Sequence, residues 1–126
     1  MWTYSQNSGK LSDPSGRFMC VGYAGGNCGN NPEGVDNPDM QDVKSIGPLP
    51  RGYYTFGVPV EGSHLGPFAI PLIPDSENEM HDRGGFYMHG DKIGAYQSAS
   101  EGCIIMPRDI RNKCSVSADH KLQVIK

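Results

Sequence analysis

Apolar and polar residues alternate over short distances along this chain, and seldom with a helical period. "WTYSQ" alternates large and small side chains, "GRFMCVGYAG" is apolar with Gly at both ends, and "GYYTFGVPV" is aromatic and β-branched. "GGFYMHG", "CIIM" and the terminal "KLQVIK" have the same character, so each predicts a short strand. "PFAIPLIP" is apolar but interrupted by prolines, which cannot donate to a ladder; it predicts an edge strand or a loop segment. Helix signals are two. "DNPDMQDVKS" offers Asn37 as cap, Pro38 at the first helical position, acids in the first turn and Lys44 near the end. "MPRDIRNKCS" opens at Pro107. Loops such as "GGNCGNNPEGVDNP", "GPLPRG" and "PDSENEMHDRGG" join the elements, with no internal repeat or linker. The expectation is a mainly β fold, a sandwich or curled mixed sheet with one or two short helices, in one domain over 1–126.

Composition sharpens this picture in a few places. Seventeen Gly and ten Pro in 126 residues fit many turns and short strands. Fourteen acids against eleven bases leave no electrostatic footprint for nucleic acid, and no basic amphipathic segment suggests a membrane surface. No run approaches the ~20 apolar residues that cross a bilayer. "MWTYSQNSGKL" lacks the charged and apolar regions of a secretory signal. Four cysteines, Cys20, Cys28, Cys103 and Cys114, allow two bridges in three connectivities. Cys20 and Cys28 flank "VGYAGGN", where a local bridge is one expectation; Cys114 reads as a free thiol.

Candidate chemistry concentrates in "FYMHGDKIGAYQSASEGCIIM". A thiol is a nucleophile as thiolate, formed near a histidine or beside backbone N–H groups. Gly102 permits a tight turn before Cys103, and the following isoleucines anchor that turn to a core strand. The plain alternative is a small buried hydrophobe on a strand. His89, at the end of "GGFYMHG", is placed at a sheet rim where it can serve as general base. Carbonyls around Ser98 to Ser100, or Asp91, are the open choices for its orienting partner. His64 and His81 fall in loops and are candidates to line a substrate cleft; His120 reads as a surface residue. Their spacings match no usual metal pair, so neither metal nor cofactor is expected. Arg83, Arg108 and Arg111 each read either as a carboxylate ligand or as a structural ion-pair partner. No GxGxxG, Walker or GxSxG pattern supports nucleotide chemistry or serine hydrolysis.

"MHGD" followed by "SASEGCII" resembles the L,D-transpeptidase signature of the YkuD type. Taken with "YSQNSGKL", "GNNP", "GPLPRGYYTFG" and "RGGFYMHGD", the chain is similar over nearly its whole length to the type VI secretion L,D-transpeptidase effector family. General L,D-transpeptidases usually carry His before the Gly-Cys pair and a polar residue two places after Cys; here those positions are Glu101 and Ile105. S-E-G-C is the effector group's own form. The resemblance implies a YkuD-like fold and Cys103 and His89 as catalytic residues, with Gly102 and Ser100 in oxyanion or orienting roles. It also implies substrate contacts from Tyr23, Asn31, His64, Arg83, Asp91 and Glu101. The implied substrate is the peptidoglycan tetrapeptide stem, with D-amino acids as alternative acceptors. The implied partners are an immunity protein and the secretion apparatus, which carries the protein from the cytoplasm into a target periplasm. Two other classes remain open: a binding module stapled by Cys20–Cys28 and Cys103–Cys114, and a papain-like hydrolase. The second would usually place its cysteine before the histidine and on a long helix, and neither is present here.

Overall fold

A computed structural model describes residues 1–61, 65–92 and 97–126. Among the described residues there are nine strands: β1 (Trp2–Ser5), β2 (Lys10–Ser12), β3 (Phe18–Val21), β4 (Tyr23–Ala24), β5 (Gly52–Phe56), β6 (Ile70–Pro74), β7 (Tyr87–His89), β8 (Ile104–Ile105) and β9 (Lys121–Ile125). They form one mixed sheet in the order β3-β2-β1-β9-β5-β6-β7-β8-β4. The β1–β9 and β7–β8 pairs are parallel, and the other pairs are antiparallel. One α-helix, α1 (Arg108–Val116), follows β8. The expected mainly β fold with little helix is what the chain adopts.

The two edge strands of the sheet are neighbours in sequence, separated by Gly22 alone. The Gly22 N–H donates to Gly9 O at 2.8 Å. On its other side, a Cβ would stand 2.0 Å from Ile105 O. Residue 22 thus spans the gap between β2 and β8, nearly closing the sheet on itself, and only a residue without a side chain fits there. The run "GRFMCVGYAG" therefore becomes two strands on opposite edges rather than one.

Period-two burial turns one side of β1, β5, β6 and β9 inward. Trp2 and Tyr4 of β1, Tyr54 and Phe56 of β5, Ile70 and Leu72 of β6 and Leu122 and Val124 of β9 meet in a single core. Met88 of β7, Ile104 of β8 and Ile110 of α1 join it.

Two expectations change. The proline-bearing β6 lies inside the sheet, between β5 and β7, and not at an edge. Leu72 N–H donates to Phe86 O, so by alternation the Pro74 nitrogen faces the β7 side, before that strand begins at Tyr87. The Pro71 nitrogen faces the β5 side, beyond the end of that strand at Phe56. Neither missing donor falls within a ladder, which removes the objection to an interior position. "DNPDMQDVKS" forms only a 3-10 turn, Pro38–Met40. Asn37 does cap it, accepting from Asp39 N–H at 3.1 Å. The chain then doubles back until Gly47 lies so close to Met40 O that a Cβ would be 1.7 Å away. Tertiary folding there overrides the helical signal.

Candidate functional site

β7 and β8 run parallel with Met88 opposite Ile104 and His89 opposite Ile105. Met88 and Ile104 are fully buried and point into the core. Alternation sends their neighbours the other way: Tyr87 and His89 from β7, and Cys103 immediately before β8. Because Cys103 falls opposite Tyr87, it is the diagonal neighbour of His89 on the same face of the pair. Tyr87 N–H donates to Cys103 Sγ at 3.4 Å. Both His89 and Cys103 line a cleft of about 730 Å3. A parallel pair needs a crossover connection, and the chain between His89 and Cys103 supplies it.

The turn carrying Cys103 is held by Ser100, which is fully buried. Its hydroxyl donates to Cys103 O at 2.7 Å and accepts from Gly25 N–H at 2.8 Å and Gly102 N–H at 3.0 Å. Gly102 has φ +132°, and a Cβ there would meet Arg83 Nη2 at 2.6 Å and the Phe86 ring at 2.7 Å. The S-E-G-C spelling thus has a local cause: a hydroxyl to bind the turn, then a residue able to adopt positive φ against a buried guanidinium.

Arg83 is buried, and its guanidinium donates to four carbonyls: Gln41 at 2.6 Å, Pro48 at 2.7 Å, Gly47 at 3.0 Å and Glu101 at 3.2 Å. It also lies over the Phe86 ring, 5.2 Å from its centroid. The side chain binds the 41–48 segment and the Cys103 turn into one wall of the cleft. Burial lowers its pKa, while the charges of Tyr54, Asp42 and Cys103 act in the opposite direction.

Burial is also the main influence on Cys103, pushing its thiol up to about 11. The Glu101 charge acts in the same direction, while the Tyr87 and Cys103 amides and Arg83 oppose it. At neutral pH the sulfur therefore holds its proton, and a base must remove it. His89 is only 2% exposed. Its Nδ1 lies 2.9 Å from Gly90 O; a carbonyl only accepts, so Nδ1 carries the proton and Nε2 is the basic nitrogen of the neutral ring.

Other residues singled out from the sequence fall around this centre. Tyr23 OH donates to Asp91 Oδ1 at 2.6 Å and accepts from Ala99 N–H at 3.2 Å. Asp91 also accepts from the Lys92 and Gln97 amides, so the pair pins the crossover at both ends. Asn31 accepts from Asn27 at 2.9 Å and donates to Glu33 at 3.1 Å, ordering the loop after β4. Glu101 is exposed at the cleft. His64 lies outside the described residues. His81 pairs with Glu79 at 3.4 Å, and His120 Nε2 lies 3.0 Å from Ser115 O. Arg108 lies over the Phe68 ring, and Arg111 donates to the Met106, Pro67 and Phe68 carbonyls. Sequence patterns did not single out the Tyr87 amide, Lys44, Lys92 or Cys28 as cleft residues, because no local motif distinguishes them.

All four cysteines are free thiols. The expected local bridge between Cys20 and Cys28 is not formed: Cys20 lies on β3 opposite Leu11, whereas Cys28 lines the cleft beyond β4. The pairing of Cys103 with Cys114 is not formed either, since Cys114 is buried on α1. Among the described residues no group of three His, Cys, Asp or Glu side chains could hold a metal ion, and no helix is long and apolar enough to cross a membrane.

No curated protein and no solved structure matches this chain. A family model, the Tlde1 domain, matches residues 25–126, which takes in the cleft, the Cys103 turn and the five strands β5 to β9. On that match the chain belongs to the Tlde1 domain family, the L,D-transpeptidase effectors of type VI secretion.

Proposed function

We propose that residues 1–126 form one catalytic domain of YkuD-like type, acting as a cysteine L,D-carboxypeptidase and L,D-transpeptidase on peptidoglycan. The bond attacked joins the L-centre of meso-diaminopimelate to the terminal D-Ala of a tetrapeptide stem. The observation that carries this reading is the shared face of β7 and β8, which presents an imidazole and a thiol to one cleft. Family membership supplies the substrate class.

In this mechanism His89 Nε2 takes the proton of Cys103 Sγ as the sulfur attacks the carbonyl carbon. Proton removal coupled to attack suits a thiol whose pKa is near 11, because a free thiolate would be scarce. The oxyanion is held by backbone N–H groups. The Gly102 amide already donates to Ser100, so the Cys103 and Tyr87 amides, which lean on the sulfur, take this role. One such donor is commonly worth ~3 kcal/mol. The C–N bond then breaks as His89 returns its proton to the departing D-Ala amine, leaving a thioester on Cys103. Water as acceptor gives the tripeptide; a D-amino acid amine gives exchange at the fourth position. Both remove tetrapeptide donors from wall synthesis, the outcome that suits a toxin delivered into a target periplasm and held in check by an immunity protein.

The test is to incubate tetrapeptide muropeptides with the protein, with and without added D-amino acid, and to resolve the products by chromatography. Cys103→Ala is expected to abolish both products, and His89→Ala to lower turnover by ~10²–10⁴-fold, each with an unchanged far-UV spectrum. Unaltered muropeptides with the reduced wild-type protein would refute the reading.

A further inference from the structure

Two of the charged side chains at the cleft are tied to the protein itself. Asp91 accepts from Tyr23 OH and two amides, and Arg83 is bound to four carbonyls. Glu101 differs. Its carbonyl is held by Arg83 Nη2 at 3.2 Å, so its backbone is fixed, while its side chain stands exposed in the cleft two residues before the nucleophile. Lys44 and Lys92 line the same cleft, yet among the described residues neither forms an ion pair with Glu101, and no side-chain hydrogen bond satisfies the carboxylate. An acid is a costly neighbour for a thiol that must become nucleophilic, since it opposes the ionised form. A cation brought by the substrate would cancel that opposition at the moment of attack.

Resting on the reading above, we propose that Glu101 determines specificity by binding a free ammonium group on the donor residue, so that stems whose diamino-acid side chain is unacylated are the preferred substrates. The chemistry fits the position. The donor's diamino acid supplies the scissile carbonyl from one centre and an amine from the other, and Glu101 stands beside the atom that attacks that carbonyl. The consequence is selectivity for uncross-linked donor stems: once the amine is amidated in a cross-link, the charge Glu101 would bind is gone.

The experiment measures kcat and KM for wild-type protein and Glu101→Gln on two tetrapeptides, with the diaminopimelate side-chain amine free or N-acetylated. The wild type is expected to favour the free amine by ~3- to 10-fold in kcat/KM, the range of a partly solvated ion pair. Glu101→Gln should bring that ratio close to one, with most of the change in KM, and Glu101→Asp should retain part of it. An equal ratio in wild type and Glu101→Gln overturns the proposal. A second arm uses Cys103→Ala, with and without Glu101→Gln, and calorimetric binding of the same peptides. Preference for the free amine that disappears with Glu101→Gln supports the proposal even where the wild type turns over neither peptide, an outcome that would sink only the catalytic reading. Equal binding of both peptides, or binding of neither, overturns the role of Glu101.

Discussion

Cys103 carries two opposed demands. It lies against the core strand β8, which anchors it, and that same packing raises its pKa to about 11. For an acid with a raised pKa, the neutral form is the one the fold favours, so the thiol is protonated throughout the neutral range. The ligand-free protein should therefore be alkylated slowly by iodoacetamide at pH 7, with a rate rising about tenfold per pH unit through pH 8 and 9. Mass spectrometry of the Cys103 peptide across pH 6–10 reads this directly. A plateau already reached below pH 7 would show instead a resting thiolate paired with an imidazolium. The sign extends to stability: with Cys114 also pushed up, to about 12, folding loses support as pH climbs from near 9 through those values, since the unfolded chain releases these protons first.

The strands matter through their pairing. Because β7 and β8 are parallel and joined by a crossover, the distance between His89 and Cys103 in sequence is a requirement of the architecture. β8 is also held from its other side by β4, with Tyr23 opposite Ile105. Gly22 sets how closely those strands approach, and Gly22→Ala places a methyl group against the Ile105 carbonyl, which is backbone and cannot swing aside. We expect this substitution to lower stability by ~1–3 kcal/mol and to reduce Cys103-dependent turnover as well, because β8 must shift. Thermal melting and the muropeptide assay measure the two effects. Retained stability and activity would mean that β4 and β8 accommodate the methyl group without disturbing the site.

For the molecule as a whole, β1, β2, β3 and β4 precede residues 25–126, yet they belong to the same sheet. β1 pairs in parallel with β9 over four residues, and Trp2, Tyr4 and Leu11 are buried in the common core. Burying three such side chains contributes on the order of 6 kcal/mol. That is comparable with the entire stability of an ordinary domain, ~5–15 kcal/mol. A chain starting at Gly25 is therefore expected to lose its cooperative unfolding transition, although it retains His89 and Cys103. Circular dichroism during urea titration tests this, and a sharp transition in the shortened chain would place the stabilising core elsewhere.

Much of this was legible in the residues themselves. Alternating apolar runs foretold β1, β5, β7, β8 and β9, and Pro107 marked the start of α1, because these signals are local and act within a few positions. The His89–Cys103 pair was visible as a motif for the same reason. What the linear pattern could not contain was pairing between distant segments. It could not show that β6 tolerates interior prolines, since that depends on where β5 and β7 end. Nor could it show that "DNPDMQDVKS" would stop after one 3-10 turn against Gly47, or that Arg83 would spend its donors on carbonyls of the 41–48 segment and the Cys103 turn. The register that puts an imidazole and a thiol on one face follows from burying Met88 against Ile104, a contact between residues sixteen positions apart that exists only once the sheet has formed.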